Sequence, residues 1–193
     1  MLKEYLIKPG LLDRTRKLIL HNEYIEWESG NEKGNEFTKL GRSQITDFKH
    51  GMDWTVWYKV VVGRQFSIAV KGSVNQEVKI RFSERFGMNK EYFQIYSDIV
   101  DDIWKYYFSD VVDAHQHRLK QEGVINLAGV ALRWDEIELT VGRRLPWSNV
   151  AMKEYDSYFA LFDRDDATHY RAFRYNEYGT EALWSLAKKY CKA

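Results

Sequence analysis

Leu132-Arg133-Trp134-Asp135-Glu136-Ile137-Glu138, followed by Leu145-Pro146-Trp147-Ser148-Asn149-Val150, decides the reading of this chain, because both blocks repeat what earlier residues do. The first answers to Leu20-His21-Asn22-Glu23-Tyr24-Ile25-Glu26 and the second to Leu40-Gly41-Arg42-Ser43-Gln44-Ile45. Further on, Tyr158 to Phe162 matches Phe66 to Val70, and Asn89 and Asn176 each open a helical pattern. The separation between matched blocks shrinks along the chain, as it does when two halves keep the same elements and the second has shorter loops. The 193 residues are therefore read as an N-terminal unit, residues 1–122, and a shorter C-terminal unit, residues 123–193.

Working outward, the alternation on either side of Asn22-Glu23 predicts a hairpin over Leu18 to Trp27. Gly30 to Asn35 reads as a loop. Phe37 to Phe48, Trp54 to Val62, Gln65 to Lys71 and Glu77 to Phe82 read as strands separated by turns at His50-Gly51, Gly63-Arg64 and Gly72 to Asn75. Phe66, Ile68 and Val70 share one face, as do Val78, Ile80 and Phe82, which is the pattern of a sheet with a single buried side.

Near Met88 the period changes from two to that of a helix. Phe93, Tyr96, Val100, Trp104, Phe108 and Val112 form one row, beside Tyr92, Ile95, Ile99, Ile103, Tyr107 and Val111. The pattern predicts a helix over residues 89–121, capped by Asn89 and stopped at Gly123, about 45–50 Å long if unbroken. One small sheet needs less, so its first half is expected to pack on the N-terminal sheet and its second half to reach the C-terminal unit. Beyond Gly123 the strand period returns in Val124 to Leu132, Glu136 to Val141, Val150 to Tyr155, Ser157 to Asp163 and Thr168 to Tyr175. Trp134-Asp135 and Arg164-Asp165-Asp166 are the expected turns, Pro146 belongs at a strand start or edge, and Asn176 to Lys192 closes the chain as an amphipathic helix. The expected fold class is mostly β with helices, a β-rich α+β protein in which strands precede a helix twice.

This order, with a hairpin ending in Asp135-Glu136-Ile137-Glu138-Leu139, the Arg144-Leu145-Pro146-Trp147-Ser148-Asn149-Val150 block, Tyr158 to Phe162 and the closing helix, resembles the bacterial pleckstrin-homology-like (PH-like) families. The likeness covers about Gly123 to Ala193 and is weaker in the N-terminal half, where Gly41-Arg42 replaces Pro146-Trp147. It implies two curved antiparallel sheets or barrels, each closed by a C-terminal helix, and surfaces that bind peptides, lipids or other domains. Independently of any family, Trp147 and Val150 are expected to bury at a strand entrance while Ser148 and Asn149 satisfy turn amides.

Composition narrows the function. Twenty-nine basic against 28 acidic side chains leave a net charge of +1, which argues against nucleic acid as a partner. Cys191 is the single cysteine, so neither an internal disulfide nor a Cys-rich metal site can form, and a reducing compartment is expected. The N-terminal residues lack the apolar run of a signal peptide, which makes a cytoplasmic protein the expectation. The aromatic share of 16% points first to ring packing in small cores and second to a stacking surface for a ligand.

Candidate chemistry is thin. Asp113 and His117 share a helix face while His115 points elsewhere, and a metal would need further ligands. Asp98, Asp101 and Asp102 read as a solvated face beside the apolar stripe. Asp163, Asp165 and Asp166 lack the Gly and downstream Glu of a calcium loop and read as a hairpin tip. There is no nucleophile elbow and no glycine-rich phosphate loop. Arg14, Arg16 and Lys17 before the first hairpin, and Arg143 and Arg144 in what reads as the corresponding early loop of the second half, are the possible contacts to a ligand or lipid headgroup. The expectation is a non-enzymatic binding or scaffolding protein without cofactor or metal. A protein is its first expected partner, an anionic membrane surface its second, and a second copy docked through the long helix its third. The alternative is a small-molecule carrier or enzyme with a cavity between a curved sheet and the long helix.

Overall fold

A computed structural model describes residues 3–29, 36–74, 76–85 and 90–191, so the predicted Gly30–Asn35 loop and the Asn89 cap lie outside the described residues. Within them the protein is β-rich α+β. Four antiparallel sheets form, two with four strands and two with three, and none closes on itself as a barrel.

The chain divides into two compact units, Met1–Ser109 and Asp110–Ala193. In the first, β1 (Lys3–Ile7), β2 (Arg16–Leu20), β3 (Tyr24–Ser29) and β4 (Glu36–Gly41) make one sheet in sequential order. A 3-10 turn, Arg42–Gln44, leads into the second sheet of β5 (Ile45–Trp57), β6 (Val60–Gly72) and β7 (Glu77–Arg85). Helix α1 (Lys90–Ile103) follows and passes through a π-helical turn, Trp104–Phe108. In the second unit, after α2 (Ser109–Glu122), β8 (Val124–Leu127), β9 (Val130–Arg133), β10 (Glu136–Thr140) and β11 (Arg143–Pro146) make the four-stranded sheet. The 3-10 turn Trp147–Asn149 then leads into β12 (Val150–Glu154), β13 (Tyr158–Asp163) and β14 (Tyr170–Arg174), and α3 (Thr180–Tyr190) ends the chain. Each unit thus runs through four strands, a 3-10 turn, three strands and a helix.

The duplication extends to individual hydrogen bonds. Arg42 N–H donates to the Glu23 carbonyl at 2.8 Å, and Trp147 N–H to the Asp135 carbonyl at 3.0 Å. Ser73 N–H donates to the Gln44 carbonyl at 2.8 Å, and Arg164 N–H to the Asn149 carbonyl at 2.9 Å. Leu20, Ile25, Leu40 and Ile45 are buried in the first unit, as are Leu132, Ile137, Leu145 and Val150 in the second. One expected match is out of register by a residue: pairing of Ile45 with Gly72 and of Val150 with Asp163 sets Ile68 against Phe159 and Val70 against Leu161. The matching of Phe66 with Tyr158 therefore gives way, because a slip of one residue sends every side chain to the opposite face.

Aromatic rings fill the first unit's core. Phe48 meets Phe108 at 4.9 Å and Trp104 at 6.3 Å, and Phe66 meets Tyr96 and Phe82 at 5.1 Å each. Tyr107 is buried and its hydroxyl donates to the His21 and Tyr24 carbonyls, which ties the π-helical turn to the β2–β3 connection. Burial also pushes the Tyr107 hydroxyl pKa upward.

Three local expectations are corrected. His50-Gly51 and Gly63-Arg64 are not turns: β5 and β6 run straight through them, with Gly51 opposite Ser67 and Gly63 opposite Thr55. The turn is Tyr58-Lys59, and both residues take positive φ, 46° and 76°. Val124 to Leu132 is two strands, since Ala128-Gly129 turns with both φ values positive. The last helix opens at Thr180 instead of Asn176, after Gly179 at φ 80°. A Cβ on Gly179 would sit 2.8 Å from the Ala128 amide nitrogen, so the close approach of that turn requires glycine. The expected long helix is present from Lys90 to Glu122, with the π-helical turn Trp104–Phe108 between α1 and α2, and Gly123 at φ 75° follows it.

Candidate functional site

The β5–β6 hairpin is long, and the side chains at its end are exposed. β7 pairs with β6 only from Gly63 onward, so the rungs Val56–Val61 and Trp57–Val60 extend as a two-stranded ribbon among the described residues. Trp54, Trp57 and Tyr58 are 49%, 67% and 86% exposed, and Val56, Val60 and Val61 are exposed with them. Consecutive rungs face opposite sides of a ribbon, so both of its faces are apolar here. Between Trp54 and Val62 the only charged residue is Lys59, at the turn.

The base of the ribbon is fixed. Trp54 pairs across the strands with Arg64, and the buried Arg64 Nε donates to Glu84 Oε1. The Arg64 guanidinium stands 5.6 Å from the Trp54 ring centre and 5.5 Å from those of Phe66 and Phe93. A buried ion pair ringed by aromatics thus stands at the rung from which the ribbon extends. The period of two predicts a single strand from Trp54 to Val62, whereas the run is the ends of two strands joined at Tyr58-Lys59, and the apolar residues on both exceed what the three-stranded sheet can cover.

The sequence-selected basic residues have acidic partners. Arg14 pairs with Glu28, whose carboxyl that bond holds below its ordinary range. Arg16 lies 3.7 Å from Asp13, and Lys17 3.0 Å from Glu4. Arg143 pairs with Asp163 at 2.9 Å, and Arg144 lies 3.4 Å from Glu136. The two groups do not occupy equivalent places: Arg16 and Lys17 lie on β2, whose counterpart is β9, whereas Arg143 and Arg144 lie on β11, the counterpart of β4.

The motif residues are structural in their contacts. Pro146 ends the edge strand β11, where its missing N–H breaks no ladder. Trp147 is buried, donates from its indole to the Arg133 carbonyl at 3.0 Å and packs on Tyr190 at 5.3 Å. Ser148 is exposed, while Asn149 donates to the buried Asp163 carboxylate at 2.7 Å instead of serving a turn amide through its side chain. Asp163 also accepts from Arg143 and from the Asp165 amide, so this carboxylate organises the hairpin tip.

The helix carboxylates separate. Asp102 is buried and accepts from Lys3 at 2.8 Å and from the Tyr5 hydroxyl; its bond to Lys3 raises the Lys3 pKa, while burial first and Asp102 second raise that of Tyr5. Asp98 accepts from Gln94, and Asp101 is exposed. His115 is half-buried and its pKa is lowered by desolvation, whereas Asp113 and His117 are exposed. Among the described residues no three His, Cys, Asp or Glu side chains converge as metal ligands, and no helix is long and apolar enough to cross a membrane.

Comparison with protein-family models, curated proteins and solved structures gives no significant match.

Proposed function

We propose that the chain is a non-enzymatic binding or scaffolding protein built of two PH-like units, whose recognition element is the end of the β5–β6 hairpin. The observation that carries this reading is the exposed apolar ribbon from Trp54 to Val61. Soluble domains seldom leave contiguous large apolar side chains in water without a partner to cover them. Support for the PH-like reading comes from the order of strands followed by a helix, present twice.

Other candidate surfaces receive less support. Each of the five basic residues has a carboxylate within ion-pair range, which lowers what each offers an anionic headgroup. The apolar side of the helical run is largely occupied within the chain, with Tyr96, Ile99, Val100, Ile103, Tyr107, Phe108 and Val111 buried, so it offers a second copy little. The carrier reading needs room between sheet and helix, and there Phe48, Phe66, Tyr96, Trp104 and Phe108 already touch.

A benzophenone side chain placed at Trp57, and in a second variant at Asp156 in the other unit's hairpin, tests the reading by illumination in a whole extract containing membranes. Adducts to a macromolecule or lipid are expected at position 57 in excess of those at 156. Equal labelling at the two positions would overturn it.

A further inference from the structure

Resting on that reading, we propose that the Trp54–Val61 end of the β5–β6 hairpin is an interfacial anchor that inserts into the headgroup region of a lipid bilayer. The first argument is the ribbon's two apolar faces. A ribbon that docks on a protein surface covers one face and leaves the other in water, where polar residues are expected. Here Val56 and Val61 lie on one face, Trp57 and Val60 on the other, and all four are exposed. The boundary between headgroups and acyl chains surrounds an inserted ribbon and meets both apolar faces at once.

Residue chemistry selects the depth. Trp and Tyr are the side chains that settle at membrane–water interfaces, because an apolar ring carries a polar N–H or O–H. Trp54, Trp57 and Tyr58 supply three of them at one end of the hairpin. No carboxylate occurs from Trp54 to Val62, and the exposed Lys59 ammonium at the turn can lift toward lipid phosphates on its flexible stem. The outer edges of the ribbon have no strand partner among the described residues, and such backbone groups cannot enter hydrocarbon unpaired. Headgroups and their water can satisfy them. From the Gly63 rung to the turn is about three residues, or about 10 Å at ~3.3 Å each, comparable to the ~5–10 Å to which interfacial segments bury.

The turn itself favours the same conclusion. Two-residue hairpin turns with both φ values positive are normally built from Asn and Gly. This one keeps Tyr58 and Lys59 at φ 46° and 76°, accepting backbone strain to hold an aromatic and a cation at the outermost point. The matching hairpin of the second unit ends in Asp156-Ser157, and neither residue has positive φ.

The test is co-sedimentation of the full chain with vesicles of phosphatidylcholine alone and of phosphatidylcholine mixed with phosphatidylglycerol, each at low and high salt. The wild-type chain is expected on both vesicles with little salt dependence. The Trp57→Ser, Tyr58→Asn double variant is expected to lose about tenfold in partitioning, or about 1.4 kcal/mol. Tyr155→Ser, in the second unit's hairpin, is expected to partition as wild type. Quenching of wild-type tryptophan emission by brominated lipid gives a readout that depends on no variant. Failure to sediment with either vesicle overturns the anchor, as does partitioning that survives the double substitution. Binding that requires phosphatidylglycerol and vanishes at high salt overturns it in favour of the basic residues. Self-association lost in the double variant overturns it in favour of a second copy. If vesicles fail while position 57 still crosslinks to a protein, the anchor falls and the binding-module reading stands; if both fail, both readings fall.

Discussion

The β5–β6 and β12–β13 hairpins hold the same place in two repeats and are finished in opposite ways. In the first unit both strands have 13 residues, and their far ends are apolar and exposed. In the second, β12 has five residues and β13 six; Tyr155 stacks on Tyr158 at 4.4 Å, and Glu154 is tied back to Lys188 of α3 at 3.2 Å. The core-facing ends agree: Ile45 and Val150 are buried after matching 3-10 turns, and Val70 and Leu161 are buried in register. Packing therefore constrains one end of each hairpin and leaves the composition of the other end free to differ. In this protein only the first unit has used that freedom for an apolar surface.

The largest expected effect separates the two 3-10 turns. Trp147 fills its site with a buried indole bonded to the Arg133 carbonyl, whereas half-buried Arg42 stands at the same place in the first unit. Trp147→Ala removes a large core side chain and is expected to cost about 3–5 kcal/mol. Arg42→Ala is expected to cost about 1 kcal/mol, the centre of the range for point substitutions. Chemical denaturation of the full chain measures both. Equal losses would mean that the turns are held by backbone bonds alone and that the Trp is not what fixes the second one.

A smaller effect is expected where Gly72 answers to Asp163. In the second unit this position carries a buried carboxylate bonded to Arg143 and Asn149. In the first unit a Cβ would overlap a methyl of Leu40, which is itself fully buried. Gly72→Ala is therefore an overpacking substitution, expected to destabilise by about 1–3 kcal/mol. A neutral or stabilising result, despite the gain from restricting the unfolded chain, would show that Leu40 can change rotamer and that the frame tolerates a side chain there.

How far the sequence revealed all this follows from the range of each interaction. The Trp134-Asp135 turn, the single-sided strands and the helix through residue 122 rest on local periods of two and 3.6, and these were legible. The hairpin turn at Tyr58-Lys59 was not, since neither residue signals a turn and the nearby Gly51 and Gly63 signal false ones; glycine inside a paired strand looks the same in sequence as glycine in a turn. The start of the last helix was misplaced because what matters at Gly179 is its approach to Ala128, 51 residues away in sequence and adjacent in space. The ion pairs of the basic residues were not legible for the same reason: Arg14, before β2, meets Glu28 on β3, and Arg143 meets Asp163 across two sheets. The candidate site was half visible. Its apolar residues were in view, but their exposure depends on which rungs of β6 pair with β7 among the described residues.

The smallest expected effect bears most directly on the contrast between hairpins. Replacing Tyr58-Lys59 by Asn-Gly supplies the residues that a turn with two positive φ values favours, and it keeps the strand register. Placing side chains with a Cβ in the left-handed region costs roughly 1–2 kcal/mol per residue, and Asn and Gly escape much of that. The variant is expected to gain about 1 kcal/mol in denaturation of the full chain while losing vesicle partitioning, because the outermost ring and the cation are gone. The same replacement at Asp156-Ser157 relieves no positive φ and is expected to change stability by less than about 0.5 kcal/mol. Stability gained at one hairpin and not at the other would mean that the first unit holds its turn against its own backbone preference. Equal responses would mean that Tyr58 and Lys59 carry no strain and that only the two apolar faces of the ribbon, not its turn, favour a membrane.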